Sequence, residues 1–146
     1  MITIRNFTIQ DIPNMQEDYY MHKTHSELEK MITDMNTKAY DGRYFEAFAI
    51  VVNDHVVGYV SLYEQTKETV SCGVLIYPSY RRNGYAFEGM SLVIKESKLK
   101  GYNVIIDQVR TDNIESICLH RKLGFGVNKK YINRKGNEVY DFVLYI

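Results

Sequence analysis

Between Leu75 and Phe87 the chain reads LIYPSYRRNGYAF, an apolar, strand-like run that breaks at Pro78 and resumes as a helix after Gly84. The helical stretch, Tyr85 to Lys100, gathers Phe87, Met90, Val93, Ile94 and Ser97 on one face and stops at Gly101. A strand handed to such a helix belongs to a layered α/β fold, because the apolar face of the helix has to be buried against a sheet. The turn itself carries a chemical implication. The first amides of a helix lack partners and sit at the positive end of its dipole, so a glycine-containing turn at that point suits a phosphate. Gly84 allows close approach of a ligand to the backbone, and Arg81 and Arg82 add charge-assisted hydrogen bonds. The plainer alternative is an exposed helix cap with both arginines in solvent.

The remaining elements follow from hydrophobic spacing. MITIRNF alternates as an edge strand. TIQDIPNMQEDYY and THSELEKMITDMNTKA carry helical spacing; in the second, Leu28, Met31, Ile32 and Met35 recur at three and four behind a THSE capping box. YFEAFAIVVN and HVVGYVSLYE form a hairpin about Asn53-Asp54, a turn without the favoured glycine, and TVSCGVLIY is the next strand. YNVIIDQV reads as a buried strand, NIESICLHRKLGF as a helix ending at Gly124, and FGVNKKYIN and EVYDFVLYI as two strands about RKGN. The expected order is β-α-α-β-β-β-α-β-α-β-β, a mixed α/β sheet in one domain spanning residues 1–146.

Composition narrows the partners. Acidic and basic residues balance at 18 each, leaving no global field to draw a nucleic acid or an anionic membrane. No apolar run approaches the roughly 20 residues of a membrane span. The N-terminus lacks a signal-peptide pattern, and the two cysteines, Cys72 and Cys118, lie far apart in regular elements, so a reduced, cytoplasmic protein is expected. Most of the thirteen tyrosines are read as half-buried packing groups.

Arg81-x-x-Gly84-x-Ala86, following Leu75-Ile76-Tyr77-Pro78, resembles the pyrophosphate-binding motif (Q/R)-x-x-G-x-(G/A) of the GNAT superfamily of N-acetyltransferases. About 30 residues downstream, Asn113 to Phe125 resembles that family's N-x-x-(A/S)-x-x-(L/F)-(Y/H)-x-K-x-G-F helix. The resemblance is close from Val70 to Phe125 and holds only in pattern over the N-terminal helices. It implies a mainly antiparallel sheet flanked by helices and splayed between the fourth and fifth strands, with acetyl-CoA as co-substrate and no metal.

By the same resemblance, Arg81, Arg82, Asn83, Gly84, Tyr85, Ala86 and Phe87 surround the pyrophosphate. Val74, Leu75 and Ile76 run beside the pantetheine arm, and the Ile76 N–H polarises the thioester carbonyl. Asn113 contacts the coenzyme arm or water; as a bare residue it is equally an N-cap. His120 stands where many members carry a tyrosine that protonates the departing thiolate, and its two readings are that acid or a helix residue orienting its neighbours. No carboxylate sits on the fourth strand to act as base; Glu64 and Glu68 flank it. Tyr19, Tyr20 and His22, with Tyr63, are the acceptor-site candidates. His22 and His25 lack a third ligand, so the pair is read as a polar pocket wall or a surface turn. Cys118, on a helix without an activating partner, is read as a small packing group.

The expected function is direct transfer of an acetyl group from acetyl-CoA to a primary amine of a small molecule, peptide or protein, in a homodimer extended through the apolar tail EVYDFVLYI. The competing reading is an acyl-CoA-binding sensor of the same fold without turnover, suggested by the absent tyrosine and carboxylate.

Overall fold

The computed structural model describes residues 1–146. Its strands are β1 (Ile2–Arg5), β2 (Ala39–Tyr40), β3 (Arg43–Val52), β4 (His55–Glu64), β5 (Thr69–Ile76), β6 (Val104–Arg110), β7 (Gly126–Ile132) and β8 (Glu138–Tyr145). The helices are α1 (Ile12–Met15), α2 (His25–Met35), α3 (Tyr85–Leu99) and α4 (Ile114–Lys122). One sheet runs in the order β1-β3-β4-β5-β6-β8-β7, with β2 joined to the outer edge of β3. All pairings are antiparallel except β5 with β6. No helix is long and apolar enough to cross a membrane.

Local chemistry explains most boundaries. Asn53 and Asp54 both take positive φ, 48° and 66°, which these side chains tolerate better than most, and so close the β3–β4 hairpin without glycine. Thr24 accepts from the Glu27 amide at 3.1 Å while Glu27 accepts from the Thr24 amide at 2.9 Å, forming the capping box that starts α2. Gly101 and Gly124, at φ 95° and 96°, end the two later helices.

The first predicted helix is much shorter than its spacing suggests. A 3-10 turn at Ile9–Asp11 leads into α1, and the chain leaves helical geometry after Met15. Ile12 and Met15 are fully buried, but the helix does not run on to Tyr19 and Tyr20, which lie against Tyr77. Instead Tyr19 stacks on that ring at 5.6 Å and Tyr20 meets its edge at 5.7 Å. Aromatic burial outweighs the helical repeat here.

Two cores follow from the alternation of strand side chains. On one face, Phe48, Ile50, Val60, Leu62 and Val70 pack under Met90 and Val93 of α3. Each such side chain contributes about 1.5–3 kcal/mol on full burial. On the other face, α1 and α2 cover Phe7, Ala49, Val56 and Tyr77. This helical layer packs on Ala49, Val56 and Tyr77 but does not include Ser61, Tyr63, Gln108 or Asp141, which lie farther across the same face. The tail also departs from expectation. β8 is bonded to β6 on one side and β7 on the other, so it has no free edge with which to extend a sheet. The exposed late edge is β7, which carries Lys129 and Lys130, the kind of residue that discourages strand addition.

Candidate active site

β5 and β6 pair only at Thr69–Val104 and Val70–Ile105, then part. At the point where a parallel ladder would continue, the Cys72 amide donates instead to Asp107 Oδ1 at 2.8 Å. A side chain thus takes the place of a strand carbonyl and ends the pairing. Beyond it, the alternation of an antiparallel pair decides where the amides point. The Tyr77 amide bonds to Val57 O, so by alternation the amides one and three residues before it, of Ile76 and Val74, face the gap. Gly58 permits this close approach of β4 to β5, since a Cβ there would lie 2.1 Å from Leu75 O.

The second component is the turn into α3. Gly84 is its N-cap in the left-handed region, with no side-chain cap, and Arg82 also has positive φ, 66°. Holding Arg82 there costs roughly 1–3 kcal/mol and lines up neighbouring amides. None of the amides from Arg82 to Phe87 bonds within the chain; the first that does is Glu88, to Gly84 O. Nothing lies within 4 Å of a Cβ built on Gly84. Arg81 turns inward, its Nε donating to Ile76 O at 3.0 Å, and so ties the turn to the end of β5.

The third component is α4. Asn113 caps it, accepting from the Ser116 amide at 3.2 Å. His120, 5% exposed, packs against Phe125 and Phe142. Its Nε2 lies 2.9 Å from Asp107 Oδ2 and its Nδ1 lies 2.7 Å from Ser116 O, with Ser116 Oγ at 3.3 Å. A carboxylate and a carbonyl both accept, so these contacts are best satisfied when both ring nitrogens donate, the imidazolium form. Burial pushes its pKa down, but the hydrogen bond to Asp107, the Ser116 carbonyl and the nearby charge together raise it above the ordinary value. Burial, then the Asp107 charge, pushes the Cys72 thiol well up, which makes that sulfur a poor nucleophile.

Two cavities open on either side of the parted strands. A groove of about 630 Å³ runs between the end of β5, the α3 turn and the start of α4. Val74, Leu75, Ile76, Arg81, Arg82, Gly84, Tyr85, Ala86 and Asn113, all singled out from sequence, line it. Asn83 and Phe87 stand beside it: the Asn83 side chain donates from Nδ2 back to Tyr80 O and Arg81 O, and Lys122 Nζ lies 4.5 Å over the Phe87 ring. Across the gap, a trough of about 740 Å³ occupies the sheet face that α1 and α2 leave open. Val74 and Ser116 border both cavities, which meet there.

Of the acceptor-site candidates, Tyr63 lines the trough. The structure does not bring Tyr19, Tyr20 or His22 into either cavity; the tyrosines pack on Tyr77 and His22 lies exposed in a turn. Glu64 accepts from the Tyr102 hydroxyl at 2.7 Å and Glu68 is exposed in the β4–β5 turn, both outside the trough. Sequence reasoning missed Asp107, Ser116, Gln108, Tyr131 and Asp141. For Asp107 a signal existed: a lone carboxylate inside the apolar run YNVIIDQV.

The chain is 27% identical over 103 residues to an L-methionine sulfoximine/L-methionine sulfone acetyltransferase of Salmonella typhimurium, a match taking in 65% of this chain and 60% of that protein. The chain therefore spans less than two thirds of the length of the curated relatives it matches. A GNAT-family acetyltransferase of Bacillus anthracis superposes with a TM-score of 0.78 at 17% identity, over 99% of this chain and 94% of the other. The YncA protein of Salmonella typhimurium, solved with its cofactor acetyl-CoA, superposes with a TM-score of 0.71 at 19% identity, again over 99% and 94%. Residues 2–126 match the acetyltransferase (GNAT) domain, and the chain belongs to that family.

Proposed function

We propose that the chain is an acetyl-CoA-dependent N-acetyltransferase, passing the acetyl group directly to a primary amine of a small molecule or peptide. One observation carries this reading. The groove beside the free α3 amides and the polar trough meet at Val74 and Ser116, so a ligand in one reaches a ligand in the other without crossing protein. The residues fit the coenzyme: unpaired amides from Arg82 to Phe87 suit a pyrophosphate, and the space at Gly84 admits it. When bound, acetyl-CoA supplies an acetyl group already activated as a thioester.

The chain's own groups divide the remaining work. Arg82 and the α3 amides hold negative charge, while Val74 and Ile76 present strand amides to an extended arm. The Ile76 amide, aimed into the gap, stabilises negative charge on a carbonyl oxygen placed there. His120 holds a proton at each ring nitrogen, and Ser116 Oγ, at 3.3 Å from Nδ1, is its polar neighbour at the junction of the cavities. Asp107 fixes the ring and maintains the imidazolium.

A second reading rests on that same occupancy. Both His120 nitrogens are engaged, which favours a coenzyme-binding sensor if no proton is delivered at the gap. The two are separated by measuring thiol release from acetyl-CoA across a panel of primary amines, together with the melting shift that acetyl-CoA produces. Thiol release with any amine supports the enzyme. A melting shift without thiol release across the panel supports the sensor.

A further inference from the structure

We propose that the acceptor is an organic cation without a carboxylate, and that Asp141 is the group that anchors it; this rests on the acetyl-transfer reading above. The trough is built by residues that share one sheet face. Ser61 and Tyr63 of β4, Ser71 and Gly73 of β5, Gln108 of β6 and Asp141 of β8 point to the side that α1 and α2 leave uncovered.

The donors of this face are largely spent on one another. Gln108 Nε2 donates to the Tyr131 hydroxyl at 2.8 Å, which donates onward to Asp141 Oδ1 at 3.0 Å. Gln65 Nε2 donates to Ser71 Oγ at 3.2 Å, and that hydroxyl donates to Tyr63 O. Toward the cavity remain Asp141 Oδ2 and Gln65 Oε1, which receive no hydrogen bond, and the Ser61 and Tyr63 hydroxyls, which can turn either to donate or to accept. The nearest cation to Asp141 Oδ2, Lys129 Nζ, stands 3.9 Å away, with its side chain 61% exposed and its ammonium over the Tyr131 ring. Asp141, by contrast, is only 15% exposed.

No lysine or arginine lines the trough, and its one histidine, His120, has both ring nitrogens already bonded to Asp107 and Ser116. A substrate carboxylate placed beside Asp141 would lose its water, meet a like charge and find only neutral hydroxyl donors, whereas an ammonium gains a charge-assisted bond to Oδ2 and a neighbouring tyrosine ring at Tyr63. The polarity of the site therefore selects diamines and related cationic amines over α-amino acids. That differs from what the amino-acid-like acceptors named for the Salmonella relative would require.

The test compares 1,5-diaminopentane with lysine, which carry the same terminal amine and differ by one carboxylate. The full chain is assayed with acetyl-CoA for kcat/KM, and diamine binding is followed separately by calorimetry on the CoA-bound protein. The expected result is a kcat/KM at least roughly 10-fold higher for the diamine, given the cost of like charges in contact. Asp141→Asn is expected to weaken diamine binding by a similar factor, to narrow the gap with lysine, and to leave the acetyl-CoA melting shift unchanged. Equal use of lysine and diamine, or unaltered diamine binding in Asp141→Asn, overturns the proposal. Diamine binding that depends on Asp141 but yields no thiol release upholds the cation site and removes the acetyl-transfer reading instead.

Discussion

Replacing Asp107 by alanine removes two hydrogen-bond acceptors in a single step from a position only 4% exposed. The Cys72 amide loses its partner, and the His120 imidazolium is left buried beside Phe125 and Phe142 with no counter-charge. A buried amide without a partner costs about 1–3 kcal/mol, and breaking a buried ion pair from one side costs about 3–5 kcal/mol. These are not additive, because His120 can relieve the second by losing its proton. A net loss of about 3–5 kcal/mol is expected, a large share of the roughly 5–15 kcal/mol that holds a domain together.

The sign with pH is fixed by the direction of the His120 shift. Its folded pKa lies above the ordinary 6.5, so its contribution is complete below that value and is lost as pH rises through the folded pKa. In Asp107→Ala only the Ser116 carbonyl still opposes burial, the largest influence on the ring, so the upward shift is lost. Urea unfolding of both proteins at about pH 5.5 and about pH 8.5 should therefore show the larger gap at the lower pH. Asp107→Asn keeps an acceptor for Cys72 and offers a donor to a neutral ring, so it should recover a good part of the loss at the higher pH. A deficit below about 1 kcal/mol at both pH values, or one independent of pH, would refute the argument that this carboxylate ends the β5–β6 ladder and holds the imidazolium.

Gly84→Asp should abolish the melting shift produced by acetyl-CoA, since the new carboxylate repels a pyrophosphate and a side chain is strained at φ 78°; equal shifts in both proteins would place the coenzyme elsewhere. Tyr77→Phe should leave stability within about 0.5 kcal/mol or raise it, because the Tyr77 hydroxyl is buried without a partner, and a loss above about 1 kcal/mol in urea unfolding would reveal one. Gly58→Ala should destabilise by about 1–3 kcal/mol and weaken acetyl-CoA binding measured by calorimetry, as the Cβ drives Leu75 and Ile76 away from β4.

The parts of the site that were legible in the sequence are those whose chemistry is local. Arg81 to Ala86 and Asn113 to Phe125 each place their functional groups within one turn or one helix, so spacing alone locates them. The trough is not of this kind. Ser61, Ser71, Gln108 and Asp141 come together only because β4, β5, β6 and β8 lie side by side, and no short-range pattern specifies that β8 inserts between β6 and β7. Asp107 was passed over because the run around it is apolar, yet a carboxylate in such a run needs a buried partner, and His120 is that partner. The overlong first helix failed for a related reason: its end is set by contact with Tyr77, some sixty residues away, rather than by its own repeat.

The position of β8 also bears on how the protein can be made. Strands β3, β4 and β5 pair in the order in which they leave the ribosome, and α3 can cover them at once. β6 then emerges with two residue pairs to β5 and nothing on its other side, while β7 has no neighbour until β8 exists. Through that interval Ile105 and Val109 sit on a strand with an open edge, a species prone to pair with other chains. A pause in translation between β7 and β8 should therefore promote aggregation.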